Sequence, residues 1–79
     1  MRGRRRFRFV RLSKSQLRKM TPRQLISRMS MLEDYRYELE SLIRQGIITG
    51  KKAINEARRK IRLLKEEYKK TDEVLQEMG

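Results

Sequence analysis

The sequence predicts an all-α fold: an antiparallel two-helix hairpin, preceded by a short helix and an extended basic N-terminal arm. Three observations predict it. Two long stretches carry apolar residues at steps of three and four, a glycine-bounded link separates them, and residues 1–20 hold nine cations and no acid. With 79 residues, of which 37% are apolar and 41% charged, the chain supports one small domain with a thin core.

The arm spans residues 1–12 and contains Arg2, Arg4, Arg5, Arg6, Arg8 and Arg11, with Phe7, Phe9 and Val10 interleaved. Cations without counter-charge repel one another, so this segment is expected to stay extended until a polyanion neutralises it. In that setting its arginines contact phosphates while Phe7 and Phe9 stack on or wedge between bases. A short edge strand over the alternating Phe7–Leu12 stretch is the structural alternative.

The body runs from residue 13 to residue 79. Ser13 and Gln16 have capping-box spacing, which starts a short helix over 13–20 carrying Lys14, Arg18 and Lys19. The run Thr21-Pro22-Arg23-Gln24 places a cap, a proline at the first helical position and an amide able to reach back to the cap, so a long helix is predicted over 22–45. Leu25, Met29, Leu32, Tyr35, Leu39, Leu42 and Ile43 form its apolar stripe. Gly46 and Gly50 bound a reversal over 46–50. A second long helix follows over 51–78, with a seam of Ile54, Ala57, Ile61, Leu64, Tyr68, Thr71, Leu75 and Met78 repeating every seven residues. A lone hairpin has one seam and no second layer, so low stability in isolation is expected.

Charge separates function classes. The chain has 22 basic and 10 acidic residues, a net of +12. Residues 21–50 are neutral overall, and residues 51–79 carry nine cations against six acids. Lys51, Asn55, Arg58, Arg62, Lys65 and Lys69 share one face of the second helix, flanked by Lys52 and Arg59. Glu56, Glu66, Glu67, Glu73 and Glu77 are expected mostly off that stripe, as partners for nearby cations. An ordinary solvated helix face is the plain alternative to a phosphate-binding one; the basic arm favours the second, since both can neutralise one polyanion. Arginine outnumbers lysine 14 to 8, which suits bidentate phosphate contacts and stacking.

Other chemistry is poorly provided for. Cysteine, histidine and tryptophan are absent, so neither a thiolate or imidazole metal site nor a histidine acid–base catalyst can form. Glu33-Asp34 and Glu66-Glu67 are adjacent pairs, and neighbours on a helix point about 100° apart rather than converging on a ligand. Neither a phosphate-binding glycine loop nor a nucleophile–base set is visible. The expectation is therefore no enzyme, no cofactor, no metal and no small-molecule substrate. No 18-residue apolar run and no apolar segment behind the arginine-rich start is present, which leads to an expectation of no membrane partner and a cytoplasmic location.

The stretch from Leu17 to Lys65 resembles a ribosomal family. Leu17-Arg18-Lys19-Met20-Thr21-Pro22-Arg23-Gln24-Leu25 is similar to the leucine–arginine, cap, amide–leucine motif that opens the helical hairpin of the large-subunit ribosomal protein numbered twenty-nine in its series. Arg58-Arg59-Lys60-Ile61 is similar to the Arg-Arg-x-Ile core of that family's second helix. The resemblance implies a basic hairpin packed on ribosomal RNA near the peptide exit tunnel, with Arg18, Arg58, Arg59 and Arg62 among the RNA contacts and neighbouring ribosomal proteins as further partners.

The resulting expectation is a structural constituent of the ribosome that binds ribosomal RNA through the arm and the basic helix face, in the large subunit. Two readings from other classes stay open. One is a small DNA-binding repressor or nucleoid-type protein with a ribbon–helix–helix arrangement. The other is a coiled-coil interaction module that self-associates along the Ile54–Met78 seam.

Overall fold

The structure, a computed structural model, describes residues 11–79. It is an all-α helical hairpin: α1 spans Lys14–Leu17, α2 Pro22–Arg44 and α3 Lys51–Met78. The expectations for residues 1–10, including those on Arg2, Arg4, Arg5, Arg6, Phe7, Arg8 and Phe9, lie outside the described residues.

Both predicted capping boxes form. Ser13 Oγ accepts from the Gln16 amide at 3.2 Å, and the Gln16 side chain accepts from the Ser13 amide at 2.9 Å. Thr21 and Gln24 repeat the exchange at 3.2 and 3.0 Å. Two amides that a helix start leaves without partners are thereby satisfied at each site.

The leading helix is shorter than the predicted 13–20 and ends at Leu17. The cause is the next cap. Thr21 precedes a proline and has extended backbone angles, φ −73° and ψ 159°, so the chain must leave the helix before it. Residues 18–20 make that exit as a turn, with the Lys19 and Met20 amides donating to the Gln16 and Leu17 carbonyls.

The hairpin reverses through backbone hydrogen bonds to the last turn of α2. The Ile47 amide donates to the Leu42 carbonyl at 3.0 Å and the Gly46 amide to the Ile43 carbonyl at 3.1 Å. This is the Schellman pattern, and it requires left-handed backbone at Gly46, whose φ is +77°. α2 stops at Arg44, one residue before the predicted end, because Gln45 is its cap.

α2 packs antiparallel along α3. Leu25 and Leu32 are fully buried on α2, Ala57, Leu64 and Val74 are buried on α3, and Leu17 is buried on α1. At the end remote from the link, Leu17, Leu25 and Val74 form one cluster, closed by Leu12, Met20 and Leu75. The predicted seam of α3 is widened in its second half and corrected at its end. Glu67 and Val74 are fully buried beside Tyr68 and Leu75, which are half-buried as Ile54 and Ile61 are, and Met78 is exposed. The reason is a third element. α2 covers one flank of the α3 seam, and the leading segment covers the other through Leu12 and Leu17, which turns the centre of burial toward Glu67 and Val74. Thr71, the one polar seam residue anticipated, is buried, and its hydroxyl donates to the Glu67 carbonyl at 2.7 Å.

A second correction concerns the arm. Its predicted boundary at residue 12 is too late: Leu12 is part-buried against the terminal cluster and belongs to the packed body. The expected single-layer hairpin therefore has a partial second layer at this end.

Replacing Gly46 by Ala places a side chain on left-handed backbone and is expected to cost about 1 kcal/mol. Urea denaturation followed by circular dichroism at 222 nm measures it; unchanged stability would show that the reversal does not need that conformation.

Candidate nucleic-acid interface

Two groups of cations stand out among the described residues by what they touch. The first group is paired with acids inside the fold. Lys14 Nζ lies 3.1 Å from Glu73, and Arg18 reaches both carboxylate oxygens of Glu77 at 3.0 and 3.3 Å. α1 positions both, since four residues separate them on one face and the two acids are likewise four apart on α3. The hydrogen bond and charge of Arg18 hold the Glu77 carboxyl below the usual glutamate range. The same hydrogen bond and charge raise the pKa of the Arg18 guanidinium further. These pairs are exposed and act as a charge match more than as a source of stability.

The second group is the predicted stripe with its flanks. Lys51, Arg58, Arg62, Lys65 and Lys69 of the stripe, and Lys52 and Arg59 beside it, are all exposed along α3. None forms an ion pair with another described residue. With Lys60, eight exposed cations face two exposed acids, Glu56 and Glu66, between residues 51 and 69. Beyond Lys70 the helix reverses sign: Asp72, Glu73 and Glu77 follow with no cation. So the uncompensated positive charge lies in the two-thirds of α3 nearest the link. Lys19 is exposed at the opposite end, in the turn between α1 and α2.

Arg11 stands apart from both groups. Its side chain is exposed and its Nε sits 3.9 Å from Glu67. That carboxylate is the residue sequence reasoning missed. Its charge places Glu67 on the solvent side as an ordinary ion-pair partner, yet it is 1% exposed. It accepts from Arg28 of α2 at 3.1 Å and from the Leu12 amide at 3.3 Å, and Lys70 Nζ lies 2.6 Å away. Burial by itself pushes the Glu67 pKa up; donors from Lys70, Leu12 and Arg28 outweigh it and leave the carboxyl below its ordinary value. A signal was available in the sequence: Glu67 is three residues after Leu64 and four before Thr71, which is seam spacing.

Beside the stripe, where α2 meets α3, a recess of about 290 Å³ is lined by Glu33, Arg36, Lys65 and Tyr68. Lys65 belongs to both features. Arg36 is held on α2 by Glu40, with contacts of 3.3 and 3.2 Å to its two oxygens, and approaches Glu33 only to 4.0 Å.

Among the described residues no cluster of three or more acids forms a metal site. No described helix is long and apolar enough to cross a membrane. Comparison with protein families, with curated proteins and with solved structures finds no match to this chain.

Substituting Glu67 by Gln leaves the buried Arg28 guanidinium without its anion, and a loss of about 3 kcal/mol is expected. The pH dependence has a fixed sign. Glu67 has a folded-state pKa below its unfolded value, so its contribution is complete above the unfolded glutamate value of about 4.3 and is lost as pH falls through the folded value. Urea titrations between pH 3 and pH 7 test this: the wild type should weaken on acidification, and the Glu67→Gln variant should lose that part of the pH dependence. Equal slopes for both would remove Glu67 as the source.

Proposed function

We propose that this chain is an RNA-binding structural constituent of the ribosome, a protein of the large subunit that lies on ribosomal RNA in the cytoplasm. One observation carries the reading: the exposed, uncompensated stripe on α3, with Arg58, Arg62, Lys65 and Lys69 at alternating steps of four and three. A helix segment, residues 51–69, that keeps eight cations in water against two acids repels itself, and an RNA backbone relieves that repulsion while releasing its own counterions.

The resemblance of residues 17–65 to the two-helix-hairpin ribosomal family supports the same partner. The pairing of Arg18 with Glu77 shifts its role in this reading. Arg59 and Arg62 remain phosphate contacts alongside Arg58, whereas Arg18 and Lys14 hold the leading segment on α3. The arm, which joins the body at the end of the hairpin remote from the link, adds further phosphate contacts. Phosphates along an RNA helix are met by side chains without base identity, so this part of the interface reads shape. Neighbouring ribosomal proteins are the second class of partner, and no chemical step is assigned to the chain.

The coiled-coil alternative makes a different demand on the same residues. It needs the Ala57–Leu64–Thr71 face of α3 for a second copy, and in this fold that face is covered by α2. An RNA-binding reading leaves the packing as it stands.

Replacing Arg58 and Arg62 together by Ala should lower the slope of log affinity against log salt by about 1.4 to 1.8, since each lost phosphate contact removes nearly one counterion. Filter binding of ribosomal RNA between 50 and 300 mM KCl measures the slope. Sedimentation of tagged protein from a lysate tests the assignment to the ribosome: at low salt it should travel with ribosomal particles and leave them at high salt. Recovery only in the free-protein fractions at low salt would overturn the proposal.

A further inference from the structure

We propose that the recess between α2 and α3 is a base-binding site that takes one unpaired guanine of the RNA. The inference rests on the RNA-binding reading and adds a sequence-reading element to an interface otherwise made of phosphate contacts.

Position comes first. Lys65 lies in the stripe, with Arg62 three residues before it and Lys69 four after it, so it neighbours both on the helix surface. Tyr68 is three residues beyond Lys65 and half-buried, and the two line the same recess. A strand whose phosphates follow Arg58, Arg62 and Lys69 therefore runs past the mouth of a recess of about 290 Å³ that has an aromatic wall. Unpaired bases are recognised by stacking on such rings, and single-strand contacts of this kind carry much of their affinity in the stack.

Chemistry then selects the base. Glu33 stands on the α2 side of the recess with 57% of its side chain exposed. Its carboxylate is held only weakly from within, since Arg36 is hydrogen-bonded to both oxygens of Glu40 and reaches Glu33 only at 4.0 Å. A carboxylate is an acceptor at both oxygens. Guanine alone among the four bases presents two adjacent N–H donors on its Watson–Crick edge, at N1 and N2. Adenine and cytosine place an acceptor nitrogen beside their single amino group, and uracil flanks its one N–H with carbonyls. Lys65, which also lines the recess, supplies positive charge next to the site for the phosphate of the bound nucleotide.

Fluorescence anisotropy on labelled RNA hairpins that differ in one unpaired loop base tests the inference. Wild-type protein should bind the guanine loop about ten-fold more tightly than the adenine, cytosine or uracil loops, the discrimination expected of one bidentate pair. Glu33→Ala, an exposed change, should erase that preference without weakening the adenine-loop complex. Tyr68→Leu should weaken the guanine-loop complex about ten-fold with its salt slope intact, and Tyr68→Phe should restore affinity; circular dichroism confirms that each variant is folded. If the leucine variant fails to fold, the Glu33→Ala arm decides. Equal affinity for all four loops, or wild-type binding by Tyr68→Leu, overturns the base site while a steep salt slope keeps the RNA-binding proposal. Binding to no RNA removes both. Free guanosine monophosphate should displace the RNA only at concentrations far above the RNA dissociation constant; displacement at comparable concentration would overturn the assignment to a base within a strand.

Discussion

A carboxylate removed from water has to recover in donors what it loses in hydration, and Glu67 does so by drawing on three separate parts of the chain. Arg28 comes from α2, Lys70 from the next turn of α3, and the Leu12 amide from the segment ahead of α1, 55 residues away in sequence. That requirement fixes the relative placement of all three. Sliding α2 by one turn along α3 withdraws Arg28 from Glu67, and detaching the leading segment removes the Leu12 amide. Leucines alone tolerate such shifts, because apolar contacts are not directional. The ion cluster therefore adds a directional constraint on register to the apolar contacts, and much of its electrostatic attraction is offset by desolvation.

The placement of the leading segment has an electrostatic consequence along α3. Helix dipoles favour acids at the N-terminus and cations at the C-terminus, and α3 has the opposite arrangement at both ends. Its first turn holds Lys51 and Lys52 with no acid and no side-chain cap at Gly50, while Asp72, Glu73 and Glu77 stand near its end. Two of those three acids are paired within the fold, Glu73 and Glu77 by Lys14 and Arg18 of the segment that Glu67 and the Leu17 cluster hold in place, while Asp72 accepts from the Gln76 side-chain amide. At the cationic end no described acid pairs with Lys51 or Lys52. An anionic partner laid along residues 51–69 completes there what the leading segment completes at the other end, which is the physical sense of the proposed RNA contact.

The helices were legible because their signals are local. Ser13 with Gln16 and Thr21 with Gln24 are three residues apart, the Pro22 backbone is set by its own ring, and Gly46 reverses the chain as its own amide and that of Ile47 donate to the Ile43 and Leu42 carbonyls. The stripe was legible for a related reason: with the apolar seam identified, Arg58, Arg62, Lys65 and Lys69 fall on a different face, and nothing in the described fold reclaims them. Glu67 was not legible in the same way. Its charge argued for solvent while its spacing from Leu64 and Thr71 argued for the seam, and only knowledge of a distant donor resolves that conflict. The recess was hidden too, because Tyr68 reads as a seam residue and Glu33 as half of an acidic pair.

The amino-acid order by itself therefore determined the two long helices, the capped starts, the glycine reversal and the basic face, since each depends on residues within one or two turns of each other. Tertiary structure alone decided that Glu67 and Val74, rather than Tyr68 and Leu75, are fully buried, that Leu12 joins the body, and that Lys14 and Arg18 are matched to Glu73 and Glu77. Burial on the flank of a helix depends on what lies across it, and here that neighbour arrives from the other end of the chain.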